Sequence, residues 1–593
     1  MATITQSKFA EIIAKARAQK ALQESQSPQS IGSLIDENDE QRIAQNVPAK
    51  IADSQNPKPS MSVSDDGFVQ TLSDIRAKSL TETTDKYGNA ITYNDKQSQF
   101  ISLASTHQSC ILIGPAGTGK TTAMKGTVQA LIQSPHTGII QNHDHKHLPH
   151  GVPGIVVCAY TRRATNNIRR NMSDDMKANC LTIHKLLEYA PEYENIIDDN
   201  GNEKTTMRFA PSRNVMNPLP REITTIIFEE SSMIGTQLYE EVMSAIQHDG
   251  VQIIFLGDIQ QLPPVFGSAV LGFKMLELPV IELTEVYRQA LESPIIRLAH
   301  RILSGKPIPP AELPEWNCPG LKIHPWKKKI EADAALEVSE KLFNKLYIQN
   351  EYSPEEDIIL IPFNKAYGTL ELNKSIANHL ARDRQRVTWE VISGFLKHYF
   401  SVGDKVLYDR EDAIILDIYP NPSYTGVPPQ KESTYLDYWG HNNAPKDSLS
   451  LDTKESTDAE IDFLLAQVSS GDEDRVTQSS HCIKLLMQDS DTEKTVTKAA
   501  EINALILGYA LTVHKAQGSE WRKVFLLLHN SHATMLQREL LYTAVTRAKE
   551  ELFIICEADT FTSAIKSQRI KGDTLAEKAE YFKGKLDRKE LQS

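Results

Sequence analysis

Long apolar runs are missing from this 593-residue sequence. None approaches the about 18 residues that a membrane-spanning helix needs, so no membrane span is predicted. The first segment, MATITQSKFAEIIAKARAQK, has neither an apolar core nor a small-residue cleavage site, which argues against secretion. It reads instead as a short amphipathic helix. Cysteine is sparse, and Cys110, Cys158, Cys180, Cys318, Cys482 and Cys556 follow no CxxC or CxxH spacing. That excludes a zinc motif of the usual kind and points to reduced, packed thiols in a cytoplasmic protein. No internal repeat at a fixed period stands out. A net positive charge is also lacking: the balance is −13, which by itself argues against nucleic acid. Bulk charge is a weak guide, because binding needs only a local basic track.

What is present is the composition of a soluble globular protein, 40% hydrophobic and 24% charged. The length is too great for one core and predicts two to four domains. Residues 1–85 hold the first helix and then a polar Ser/Gln/Asp/Pro-rich stretch that reads as a disordered tether, either a plain linker or a docking arm for a protein partner. From about 90 onward, SCILIGP, GIVVCAY, TTIIFEE, VQIIFLGD, DIILIPFN and KVFLLLHN are continuous apolar runs of strand length alternating with helical segments. Such runs suit strands buried on both faces of a parallel sheet, and the alternation predicts an α/β fold. The pattern breaks between 407 and 500, where PNPSYTGVPPQ and SSGDEDR predict an inserted domain of β and irregular structure.

GPAGTGKT, from Gly114 to Thr121, satisfies G-x-x-x-x-G-K-S/T between the strand CILI and the helix-compatible run TTAMKGTVQALI. That context identifies a P-loop. Gly114, Pro115, Ala116, Gly117, Thr118 and Gly119 let backbone N–H groups close around phosphates, aided by the helix N-terminus. Lys120 reaches the β/γ-phosphates, the Thr121 hydroxyl goes to Mg²⁺, and Thr122 continues the cradle, so the implied ligands are ATP and Mg²⁺. TTIIFEESSM ends an apolar run on two adjacent carboxylates, Glu229 and Glu230, a costly arrangement without a cation nearby. Alone the pair reads as a solvated acidic loop. Beside a P-loop, Glu229 is expected to face the metal and Glu230 to accept a proton from the attacking water.

The ordered set of segments resembles superfamily 1 helicases, and within them the RecD-like and Dda-like group, superfamily 1B, over about 90–405 and 500–557. YNDKQSQF supplies Asn94 and Gln97, similar to the adenine-reading Gln of that family. CAYTRRATNNI places Thr161 and Ala164, and LTIHKLL places Thr182 and His184, where the family contacts single-stranded DNA. FEESSM resembles D-E-x-S-M with Glu229 where Asp is usual. FLGDIQQLPPV makes Gln261 a γ-phosphate sensor and Asp258 a coupling residue, and LTEVYRQ makes Arg288 a phosphate ligand. LIPFNKAYGTLELN brings Asn364 and Asn373 to the second motor domain. GYALTVHKAQGSEW adds Thr512 and His514 toward DNA, and Gly518 and Glu520 toward the nucleotide. LLYTAVTRAKEELFII makes Arg547 the arginine finger. From the residues alone, the three threonines are equally readable as caps or strand ends, and the two histidines as structural.

The resemblance implies two RecA-like P-loop domains with parallel sheets. Their expected bounds are 86–285 (1A) and 286–406 with 501–560 (2A), followed by a tail at 561–593. It further implies a 1B hairpin at about 186–222, read from the DDNGN turn as either a duplex-splitting wedge or a plain hairpin, and an SH3-like 2B domain at 407–500. The activity it implies is ATP-dependent 5′→3′ movement on single-stranded DNA with unwinding at duplex junctions, by a monomer that docks to no membrane. The other readings are a translocase or remodeller without processive unwinding, an RNA helicase, and an inactive nucleic-acid-binding scaffold. The charged tail offers no functional reading.

Overall fold

The computed structural model describes residues 91–141, 144–197, 203–264, 268–326, 331–363, 367–393, 396–408, 411–424, 478–488 and 492–590, without the side chains of 191–209, 288–289 and 588–590. The expected N-terminal helix and tether, the hairpin tip, Asn364 and the Pro- and Ser-rich part of the insert lie outside the described residues.

The first domain contains β1 (Cys110–Ile113), β2 (Ile155–Ala159), β3 (Cys180–Thr182), the hairpin strands β4 (Tyr189–Ile197) and β5 (Glu203–Pro211), then β6 (Thr225–Phe228), β7 (Gln252–Gly257) and β8 (Val280–Glu282). Apart from the hairpin these make one sheet in the order β3-β2-β6-β7-β1-β8, parallel throughout. The runs CILI, IVVCA, TIIF and QIIFLG are buried along their whole length because both faces are covered. Phe100 of helix α1 (Asp95–Ser105) and Met124 and Val128 of α2 (Lys120–Gln133) pack on one face, joined by Ala164 and Ile168 of α3 (Arg162–Asn171). Phe228, Val242, Phe255 and Phe273 of α4 (Val270–Lys274) form the layer on the other. Strand order places the P-loop after β1, the acid pair after β6 and Asp258 after the intervening β7. All three leave the same carboxyl edge, where open α/β sheets bind ligands.

After α5 (Arg288–Glu292) and α6 (Pro294–Leu303) the chain enters a second sheet through β9 (Leu321–Pro325) and β10 (Ile358–Ile361). It then departs into β11 (Thr388–Ser393), β12 (Leu396–Ser401), β13 (Lys405–Tyr408), β14 (Glu411–Pro420), β15 (Gln478–Met487), β16 (Thr492–Lys498) and β17 (Ile506–Leu507). These pair antiparallel around Val391, Phe400, Ile415 and Ile483. The chain returns in β18 (Ala510–Thr512), β19 (Trp521–Leu528), α7 (Arg538–Val545), β20 (Ala548–Cys556) and α8 (Ala558–Lys566). The second sheet, β18-β10-β19-β20-β9, is again parallel.

Three boundaries differ from those expected. The antiparallel sheet begins at Thr388 rather than 407, because TWEVIS and LKHYFS are a hairpin of this sheet and not part of the second parallel sheet. It closes at Leu507 rather than 500, through the pairing of β17 with β13. The second domain runs to Lys566 rather than 560, since Phe561, Ala564 and Ile565 of α8 lie in its core.

The tail that offered no reading returns to the first domain. Helix α9 (Leu575–Glu590) inserts Phe582 beside Phe273, with ring centroids 5.3 Å apart. Gly272 is required there, because a methyl group at that position would overlap the Phe582 ring. Phe582 is 2% exposed, and Ile570 joins it in the same layer. On the second-domain side the strap is fixed by Glu539, whose carboxylate accepts the N–H groups of Arg569 and Ile570, and by an Arg538–Asp573 ion pair at 2.5 Å. Phe582→Ala is expected to destabilise the chain by about 3–5 kcal/mol, the range for deleting a buried aromatic ring. Urea unfolding, with proteolysis of the 567–590 segment as a second readout, checks this. An unchanged midpoint and unchanged protection would show that the strap contributes nothing.

Candidate nucleotide site and nucleic-acid interface

The P-loop turns on Gly117 and Gly119, at φ 81° and 80°, a conformation that favours glycine. Gly119 is also the N-cap of α2. Lys120 folds back, its Nζ donating to the carbonyls of Gly114 (2.6 Å) and Pro115 (3.2 Å), while Thr121 is exposed. Gln97 is fully buried: its Oε1 accepts from Asn94 N–H and the Tyr287 hydroxyl, and its Nε2 donates to Gly119 O at 3.1 Å. Asn94 and Gln97 form a reciprocal cap on α1. The expected adenine reader is thus engaged with Asn94, Tyr287 and the P-loop backbone.

Glu230 has φ 50°, a left-handed conformation that costs a non-glycine residue energy and is found at sites that need a fixed side-chain direction. Its Oε2 is buried without a hydrogen-bond partner, as is Oε1 of Gln261. Burial and the Glu230 carboxylate push the Glu229 carboxyl up to about 8 against the pull of Lys120. Burial also pushes Glu230 up; Arg547 and Lys120 pull it down, while Asp258 and Glu520 raise it further. Both carboxyls are therefore pushed toward the protonated form, an effect that Lys120 and Arg547 offset only in part.

Arg547 reaches this cleft from the second domain. It is 4% exposed, and its guanidinium donates to Thr543 O and Ser519 O at 3.0 and 3.1 Å and to the Thr546 hydroxyl at 3.2 Å. Arg288 opens α5, but its side chain lies outside the described residues. Two residues that sequence reasoning passed over complete the seam. Tyr542 contributes its hydroxyl to both Ala116 and Asp258. Arg163 donates to Ser519 Oγ at 3.0 Å, pairs with Asp412 of the insert and lies over the Trp521 ring. Both stand inside the motifs already quoted. The only advance signal was a phenol and a guanidinium on helix faces otherwise suited to burial.

Thr161, Thr182 and Thr512 follow or end β2, β3 and β18. Each hydroxyl caps the next turn, accepting from Ala164, Lys185 and Lys515 N–H respectively. Ala164 is buried in the core. His184 sits edge-on between the rings of Tyr160 and Tyr189. His514 is half-buried in the turn after β18. Asn373 is structural, exchanging two hydrogen bonds with the Ala510 backbone. Gly518, expected at the nucleotide, is placed against Thr161 and Ala164 at φ 73°, where a Cβ would come within 2.6 Å of Thr161 Oγ1. Glu520 does face the acid pair electrostatically.

The donors fit Mg²⁺. Thr121 and Glu229 are hard oxygen ligands, and among the described residues no group of three or more His, Cys, Asp or Glu could hold an ion alone. Mg²⁺ takes such oxygen donors from one or two side chains and completes its shell with phosphate and water. All six cysteines are free. No described helix is long and apolar enough to cross a membrane.

Residues 92–313 match the family model described as an AAA domain, and residues 507–555 match the UvrD-like helicase C-terminal domain. The ATP-dependent RecD2 DNA helicase of Deinococcus radiodurans is 27% identical over 478 residues, covering 80% of this chain and 51% of that protein. The RecBCD enzyme subunit RecD of Buchnera aphidicola is 21% identical, covering 80% and 74%. The chain thus spans about half the length of the RecD2 relative. A Bacteroides Pif1 helicase solved with ADP-AlF3 and single-stranded DNA is more distant, at 15% identity and a TM-score of 0.40, over 83% of this chain and 98% of that one.

The raised carboxyls set a pH dependence. A group whose pKa is higher folded than unfolded stabilises fully below its unfolded value and loses that contribution as pH rises through the folded one. In metal-free protein, Glu229→Gln should therefore gain thermal stability relative to wild type as pH climbs from about 4.5 to about 8. Melting curves in EDTA across this range test it, and a difference that stays flat with pH would refute it.

Proposed function

We propose that this chain is a RecD-like helicase of superfamily 1B, an ATP-dependent DNA helicase that moves 5′→3′ on single-stranded DNA and separates duplex at junctions. The observation that carries this reading is the two-domain seam. The P-loop and acid pair of one sheet face Arg547 of the other, with Asp258 and Gln261 between.

In this reading Lys120 leaves its own carbonyls for the β/γ-phosphates, and Arg547 exchanges Thr543 O and Ser519 O for the transferring phosphoryl group. Both exchanges need no refolding, only a better partner than a peptide carbonyl. Arginine fingers in P-loop enzymes contribute ~10³–10⁵ in kcat, so cleft closure and hydrolysis are coupled. The left-handed backbone at Glu230 aims a partnerless carboxylate oxygen that takes the proton of the attacking water; its raised basicity suits that role. Mg²⁺, held by Thr121 and Glu229, would neutralise phosphate charge when bound. Opening and closing of the seam then moves the strand held at Thr161, Thr182, His184, Thr512 and His514.

The β4–β5 hairpin is the proposed wedge. Its root is clasped where a splitting element bears load: Glu188, just before β4, accepts from Arg213, just after β5, at 2.9 Å. The Arg213 N–H also donates to Leu187 O. Residues 1–85 are proposed as a docking arm for a protein partner.

Glu230→Gln should abolish ATP hydrolysis while retaining nucleotide binding; near-normal turnover would remove Glu230 from the base role. Glu229→Asp should leave turnover intact or raise it. Wild-type ATPase should rise with single-stranded DNA, and an equal rate without DNA would favour an inactive or scaffold role. A fluorescent assay should show unwinding of 5′-tailed over 3′-tailed duplexes. Preference for the 3′ tail would overturn the polarity, preference for RNA tails the substrate, and translocation without strand separation would favour the remodeller.

A further inference from the structure

The Tyr542 hydroxyl occupies an unusual position in the seam. It comes from α7 in the second domain, is 0% exposed, and holds two groups of the first domain at once. It accepts the Ala116 N–H of the P-loop at 2.7 Å and donates to Asp258 Oδ2 at 2.6 Å. Asp258 is fully buried, and its other oxygen accepts Gln260 N–H while its carbonyl accepts Gln261 N–H. The same short segment is gripped twice more by the second domain: Leu262 N–H donates to Thr543 Oγ1 at 3.0 Å, and Leu262 O accepts Gln517 Nε2 at 2.9 Å. Gln517 is followed by Gly518, which rests on Thr161 and Ala164. From the second domain, His300 Nε2 also lies 3.3 Å from Ala116 O.

We propose that Tyr542 is a positioning residue that links occupancy of the phosphate loop to the strand-contacting face. The link runs by hydrogen bonds from Ala116 through Tyr542 to Asp258, along the backbone to Leu262, by a hydrogen bond to Gln517, and by close packing of the adjoining Gly518 against Thr161. The inference rests on the functional reading above. Its physical basis is that a phenol bridging a backbone N–H and a carboxylate inside a dry seam cannot lose one partner cheaply. Any movement of the P-loop on binding phosphate shifts the Asp258 carboxylate or breaks the bridge. Three second-domain side chains, Tyr542, Thr543 and Gln517, grip the segment from Asp258 to Leu262, which is also continuous with β7, so its position answers to both domains.

Tyr542→Phe removes one oxygen and keeps the ring, so the core around α7 is retained. The expected result is a roughly tenfold fall in turnover with single-stranded DNA, with KM for ATP changing by less than about threefold, because the lost bond couples and does not bind. Asp258→Asn combined with Tyr542→Phe should cost clearly less than the sum of the two single variants, since the two share the Tyr542–Asp258 bond. A folded Tyr542→Phe protein with wild-type DNA stimulation, or fully additive losses in the double variant, overturns the inference. Wild-type protein that does not hydrolyse ATP overturns the functional reading, and this inference with it.

Discussion

Four carboxylates, Glu229, Glu230, Asp258 and Glu520, gather about one cleft, and Lys120 and Arg547 are the cations set against them. That imbalance is the constraint to which the rest of the molecule answers. Parallel strand order brings the acid pair, Asp258 and the P-loop to one edge. The second domain then supplies Tyr542 from α7 and Arg547 from the turn that follows it. Lys120 of the first domain and Arg547 of the second both donate to peptide carbonyls. A bound triphosphate and its metal would satisfy the same groups better, so the arrangement is one of substitution in place and needs no new packing.

The second domain is coupled to the first by polar contacts of short reach, and Leu262 and Ala116 of the first domain also pack against the apolar core of the second. Arg163 illustrates this, touching Ser519, Trp521 and Asp412 at once, so that a first-domain helix senses both the second motor domain and its antiparallel insert. Directional contacts of this kind have discrete made and broken states, which is what a motor needs between its two positions. The capping threonines fit the same logic. Each hydroxyl already fixes a turn at a strand end, so a strand laid across that edge meets preformed, rigid backbone.

Much of the fold was legible because parallel sheets write themselves as uninterrupted apolar runs, and CILI, IVVCA, TIIF and QIIFLG leave little else to be. The P-loop and the acid pair were legible because phosphate chemistry fixes both residue type and spacing. Three things were not. The hairpin Thr388–Ser401 alternates as any half-buried strand does, so nothing in it marks the change from motor sheet to insert. Tyr542 reads as one more large residue on an apolar helix, since a hydroxyl's partners from distant segments leave no local pattern. Helix α9 is mostly charged, and its few apolar anchors, Leu575, Tyr581 and Phe582, are too sparse to announce a docking face. Gly518 was expected at the nucleotide because of its motif, yet its neighbours are set by how close the α3 backbone comes.

The return of α9 to the first domain changes how the chain must be made. Phe582 completes a layer whose other members, among them Phe228, Phe255 and Phe273, lie far upstream. During synthesis the first sheet is finished long before this ring exists, so Gly272 and Phe273 face water while the insert and the second domain emerge. The first domain is therefore the last to be sealed as well as the first to be started. A chain that stops short of Phe582 would leave that layer without the ring that covers Gly272 and Phe273.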